Sequence, residues 1–81
     1  MQKDNLLKTI ILADDGKWEN AHITVQDIEN EYAYWIHANL HREEGDISNS
    51  KYWYRRAGRD YTEIDFKAER EEIRREIEGN L

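Results

Sequence analysis

The chain of 81 residues contains no cysteine and no proline. Without thiols it has no disulfide, no thiolate metal ligand and no cysteine nucleophile. Without proline, no backbone position is barred from helix hydrogen bonding. Glycine is scarce at four residues, so each one is a candidate turn. Long apolar runs are missing as well. The longest aliphatic run, Ile10 to Ala13, is far too short for a membrane span or a signal-peptide core. Positive charge is outnumbered, with 12 Lys and Arg against 18 Asp and Glu, a net charge of −6. That balance argues against general nucleic-acid binding and against an anionic membrane surface. The chain reads as a soluble, cytoplasmic protein.

What is present is charge and aromatic surface. Charged residues make up 37% and apolar residues 38%, so core material is limited, and three Trp, five Tyr and one Phe must supply part of it. The length suits a single domain over 1–81, near the lower size at which one core holds a fold.

No segment alternates as a strand would, and helical spacing recurs throughout, so the expected fold is all-α with about five helices. Leu6, Leu7, Ile10 and Ile11 stripe a first helix over residues 5–14, with Asp4 as its N-cap and Gly16 beyond its end. Trp18, Ala21, Val25 and Ile28 share one face of a second, over 18–28. Asn30 is placed to cap a third helix over 31–44, with Ala33, Ile36, His37, Leu40 and His41 facing inward. Gly45 ends it, Asp46 caps a fourth over 47–57, and Gly58 stops that one. The last begins near Thr62-Glu63-Ile64-Asp65, a capping-box-like string, and runs to Glu78 with Phe66, Ile73 and Ile77 in line. The helices group into hairpins over 5–28 and 31–57, with a terminal capping helix over 62–78.

Charge is uneven along the chain. Lys51, Arg55, Arg56 and Arg59 stand together without an acid, whereas from Asp60 onward eight acids face four bases. One reading has the last helix neutralising the basic end of the fourth. The other is an anion or acidic-peptide site built on Arg55 and Arg56, whose planar forks suit carboxylates and phosphates.

Gly16-Lys17-Trp18-Glu19-Asn20-Ala21 and Gly45-Asp46-Ile47-Ser48-Asn49-Ser50 align with a spacing of 29 residues. Each supplies a turn glycine, a large apolar residue for the corner and a small residue where two helices approach. Over Tyr34 to Ala57 this pattern resembles the tetratricopeptide repeat. Tyr34, Ala38, Gly45, Ile47, Ser50, Tyr54 and Ala57 fall on its aromatic, small, turn and corner positions. Residues 5–28 fit the same frame through Trp18, Ala21, Val25 and Ile28. The chain departs from the family in its repeat length, which is about 34 there, in lacking a closing proline, and in His37 and His41 at apolar positions. Trp35 to Asp46 and Tyr52 to Arg59 also resemble stretches of small bacterial proteins, a likeness that implies no activity.

The resemblance implies a right-handed stack of antiparallel hairpins that binds a protein or peptide along the first helix of each hairpin. Carried over by alignment, that face holds Tyr32, Trp35, Asn39 and Arg42, with Asn39 where the family uses asparagine to bond a peptide backbone. The residues themselves add that Trp35 is out of phase with Ile36 and Leu40. Exposed aromatics beside arginine are the composition of interface anchors.

The sharpest chemical pattern is His37-x-x-x-His41, with Glu44 further along. The i,i+4 spacing puts both imidazoles on one helical face, suited to a divalent metal such as zinc, and His22 on the neighbouring helix would supply a third ligand. Ala38 follows His37 where zinc peptidases carry glutamate. The alternative is that both rings are buried, neutral core residues bonded to Ser50, Tyr54 or a backbone carbonyl. An acid–base pair of His41 with Asp46 or Glu44 is the remaining catalytic arrangement, and the chain has no nucleophile elbow, phosphate loop or dinucleotide fingerprint. Nothing demands catalysis or a cofactor.

The leading expectation is therefore a non-catalytic helical module for a protein or peptide partner, with no nucleic acid and no membrane. A metal-binding or hydrolytic protein centred on His37 and His41 is the alternative, and a self-associating structural domain the third reading. Leu6, Leu7, Ile10, Ile11 and Leu12 crowd one short helix, and an exposed strip of that kind would pair two copies as a homodimer. The competing outcome is a last helix folded back across the first.

Overall fold

The computed structural model describes residues 2–81. Among them are five helices and no strand: α1 (Gln2–Asp14), α2 (Trp18–Val25), α3 (Glu31–Glu44), α4 (Ile47–Ala57) and α5 (Phe66–Asn80). The fold is all-α. None of these helices is long and apolar enough to cross a membrane.

The helix ends follow from local chemistry. Asn30 Oδ1 accepts from the Tyr32 backbone N–H at 2.7 Å and opens α3, while Asp46 and Asp65 cap α4 and α5 in the same way. Gly45 and Gly58 take φ of 92° and 72°, a left-handed conformation that costs a glycine little. There the N–H groups of Gly45 and Asp46 close onto the carbonyls of Arg42 and His41. Three expected boundaries move. Asp4 lies inside the first turn of α1 rather than capping it, and α2 stops at Val25. Asp65, not Thr62, caps α5, because the Thr62 hydroxyl accepts from the Ile64 N–H in a local turn.

α3 is the central helix and packs on all four others. Residues 35–42 of it are therefore all buried, including positions that a single apolar stripe would leave wet. Ala38 is fully buried where α3 meets α4, and its carbonyl accepts from Ser50 Oγ at 2.8 Å. A small residue at that crossing lets the two backbones approach.

α5 does not extend the stack beside α4. It lies across α1 and α3, and α4 packs on α3 alone. The reason is in the inner line of α5, where Ile73 and Ile77 are joined by Glu69 and Arg70, all buried. Charged groups are buried only where partners meet them, and these partners sit on α1, α3 and α4. Glu69 accepts from Trp35 Nε1 (2.9 Å), Asn39 Nδ2 (2.8 Å), Arg42 Nη2 (2.9 Å) and the Tyr54 hydroxyl (2.6 Å). Arg70 donates to Asp14, Glu43 and Asn39 Oδ1 at 2.7 to 3.0 Å. Burial, then the Glu69 carboxylate, pushes the Tyr54 phenol up, so it stays a donor. Every fully buried side-chain nitrogen and oxygen among the described residues has a partner.

With α5 in this place the α1 strip is largely covered. Leu6 and Ile10 are buried, Leu7 and Leu12 half-buried, and Ile11 remains 61% exposed. The expected open strip is thus corrected: the last helix does fold back across the first.

Candidate metal centre

The three histidines of the chain meet at the contact between α2 and α3. His37 and His41 come from successive turns of α3, with ring centroids 4.8 Å apart. His22 approaches from α2, its Nε2 3.0 Å from His37 Nε2. One nitrogen from each ring lies within 4.8 Å of the other two. Zinc–nitrogen bonds of about 2.0–2.1 Å in a tetrahedron require donors about 3.3 Å apart, so the widest gap in this triangle would close by at most about 1.5 Å to hold an ion.

Aromatic packing fixes the rings. Trp18 stands one turn before His22 and stacks on it at 4.9 Å with 8° between planes. The Trp18 indole N–H donates to the Leu40 carbonyl, which ties α2 to α3 beside the cluster. Trp53 from α4 covers the other side, lying on His37 at 4.0 Å and 15°. His41 is held through both ring nitrogens. Its Nδ1 is 2.6 Å from Glu44 Oε1 and donates to that carboxylate, while Nε2 accepts from Asn49 Nδ2 at 3.4 Å. A carboxylate on the distal nitrogen sets the tautomer of a metal-ligating histidine and raises its basicity. Glu44 is thus an outer partner of His41, and an ion taking the Nε2 lone pair would displace the Asn49 amide from it. His41, Glu44 and Asp46 form a second donor group, but both carboxylates are exposed and Asp46 accepts from the Asn49 backbone N–H.

The electrostatics favour the lone-pair form that a metal needs. Burial, followed by the neighbouring His41 and His22 rings, pushes His37 down to about 3. Burial first, then His41, lowers His22 as well. At neutral pH neither ring is an imidazolium, so a metal competes at these nitrogens only with the one proton shared between the two Nε2 atoms.

The family-derived face has a different fate. Tyr32, Trp35, Asn39 and Arg42 are all buried, with exposures of 7%, 3%, 0% and 6%. Trp35, Asn39 and Arg42 are bonded to Glu69, and the Tyr32 hydroxyl accepts from Asn80 Nδ2 at 3.1 Å. The expectation that this face receives a peptide is corrected, because α5 occupies it. Arg55 and Arg56 remain exposed on α4, and the expected neutralisation by α5 reaches Arg59 alone, through Glu76 at 2.7 Å.

Sequence reasoning paired the histidines but missed Trp18, Trp53 and Asn49 around them. The i,i+4 spacing of Trp18 and His22 was a readable signal; the approach of Trp53 was not, since it depends on how α4 crosses α3. No protein-family model matches the chain, and no curated protein and no solved structure is significantly similar to it.

Proposed function

We propose that this is a small metal-binding protein that holds one divalent transition ion, zinc by the chemistry of its donors, between His22, His37 and His41. The observation that carries the reading is the convergence of three imidazole nitrogens from two helices within 4.8 Å of one another. An all-imidazole set suits zinc, copper and nickel rather than magnesium or calcium, which prefer oxygen. Three protein ligands leave one position of a tetrahedron for water or an incoming group. The carboxylate of Glu44 on His41 and the indoles on His22 and His37 are the outer support such a site needs.

The ion would also clamp the first hairpin to the second, since His22 belongs to one and the α3 histidines to the other. Binding to the folded state alone stabilises it by about 2.7 kcal/mol when free metal is 100 times Kd. Equilibrium dialysis of tag-free protein against zinc, with metal analysis, tests the reading. One equivalent per chain is expected, lost in His37→Ala and accompanied in the intact protein by a raised unfolding midpoint. Stoichiometric binding that survives removal of each histidine in turn, or no binding at micromolar zinc, would reverse it.

A further inference from the structure

α4 is the outermost helix, packing on α3 alone and reaching α5 through the Tyr54 hydroxyl. Its solvent side carries Lys51, Tyr52, Arg55 and Arg56, all exposed, with Arg56 at the edge that meets Tyr34 of α3. In a chain of net charge −6, acids are plentiful, and five of the seven arginines have taken one: Arg42, Arg59, Arg70, Arg74 and Arg75. Among the described residues Lys51, Arg55 and Arg56 have no such partner, and no acid stands in the sequence from Ile47 to Arg59.

Arg56 is nevertheless held in place. Its guanidinium lies 4.6 Å from the Tyr34 ring centroid and 5.3 Å from that of Trp53. Nη1 donates to the Tyr52 hydroxyl at 3.1 Å and Nη2 to the Tyr34 hydroxyl at 3.2 Å. Each of those nitrogens has a second hydrogen and Nε–H has no partner among the described residues, so three of the five donors of the planar fork remain for an incoming anion. A guanidinium already ordered by three rings loses little freedom on taking a ligand. Tyrosine, tryptophan and arginine are also the side chains that carry most of the energy at protein interfaces.

We infer that this face of α4 docks an acidic peptide segment, with a carboxylate received by Arg56 beside the Tyr34, Tyr52 and Trp53 rings. Lys51 and Arg55 extend the positive potential along the helix for neighbouring acids of the same peptide. A peptide fits better than a phosphate polymer, because the chain as a whole repels dense negative charge while the rings reward apolar flanks. A second copy of the chain fits less well. Four of the five glutamates on its acidic helix, Glu69, Glu71, Glu76 and Glu78, are already engaged by arginines of its own chain, which leaves Glu72 alone. The surface is independent of the metal reading and stands or falls separately.

The test is fluorescence anisotropy of a labelled peptide of alternating glutamate and leucine, titrated with the full chain, alongside amide NMR of the chain. Saturable binding is expected, with shifts centred on Tyr34, Tyr52, Trp53 and Arg56, and with affinity that falls as salt rises. Arg56→Gln should weaken binding about tenfold, and Arg56→Lys should not restore it, since an ammonium lacks the planar fork. Circular dichroism melts of both variants should match the parent, because Arg56 is exposed. Unchanged affinity in Arg56→Gln, shifts on another face, or equal binding of the glutamine–leucine peptide would overturn the proposal. Tighter binding of labelled single-stranded DNA at the same salt would replace it with a phosphate polymer, and concentration-dependent association through the same amides with a second copy.

Discussion

His22 Nε2 and His37 Nε2 face each other at 3.0 Å across the α2–α3 contact, so one ring carries its proton there and the other offers a lone pair. A metal ligated by both nitrogens cannot coexist with that proton. Because both rings are neutral at pH 7, the proton has a destination on the same ring, at Nδ1. Zinc saturation should therefore switch one of the two rings from the Nε2–H to the Nδ1–H tautomer, with well under one proton released to solvent near pH 7.5. His41, already Nδ1–H toward Glu44, should keep its tautomer. Long-range 1H–15N correlation of the imidazoles reads this directly. Three unchanged tautomers at saturating zinc would place the ion elsewhere.

The same lowered values make the metal-free fold sensitive to acid. His37 sits at about 3 in the folded state against about 6.5 in an unfolded chain. The folded state then binds fewer protons, so stability is complete above about pH 6.5 and declines as pH falls from there toward 3. The slope for this one group approaches about 1.4 kcal/mol per pH unit. Urea unfolding between pH 7 and pH 5 should show the loss, above the range where carboxylates titrate. His37→Gln should flatten the dependence even if it lowers stability at pH 7. An equal slope in that variant would assign the proton uptake to another group.

Ala38 is fully buried at the crossing of α3 and α4 and offers no room for branching. Ala38→Leu should overpack this contact and cost about 1–3 kcal/mol. It would also push the Ser50 hydroxyl off the Ala38 carbonyl, now accepted at 2.8 Å. Denaturant midpoints of the pair of proteins measure the loss. A variant as stable as the parent would show that the crossing is looser than the packing here.

The helices were legible in the sequence because their signals are local. Asn30, Asp46, Gly45 and Gly58 act within a few residues of where they stand, and each does what its chemistry predicts. The pairing of His37 with His41 was legible for the same reason, being one turn of one helix. What was not legible depended on α5. Phe66, Ile73 and Ile77 showed an apolar line, but Glu69 and Arg70 interrupt it and read as solvent-facing. Only their partners on α3, Trp35, Asn39 and Arg42, reveal that the interruption is the contact itself. A stripe argument assumes one wet face, and α3 has none over residues 35–42, so Trp35, which that argument places in solvent, is core, as is Tyr32.

That polar contact should dominate the mutational energetics of the fold. Glu69 and Arg42 form an ion pair at 2.9 Å with side-chain exposures of 2% and 5%. A buried pair of this kind adds little over an apolar substitute, yet removing one partner strands the other charge at a cost of about 3–5 kcal/mol. Glu69→Gln keeps the shape but aims an amide N–H₂ into a site lined by donors from Trp35, Asn39, Arg42 and Tyr54. It should lower stability by that amount and loosen α5, seen as faster amide exchange between Phe66 and Ile77. Arg42→Met alone should also destabilise, leaving the carboxylate with neutral donors. The double variant Glu69→Gln with Arg42→Met should be more stable than the sum of the two losses predicts, since neither charge is then stranded. Strict additivity in this cycle would show that the carboxylate serves Trp35 and Tyr54, not Arg42.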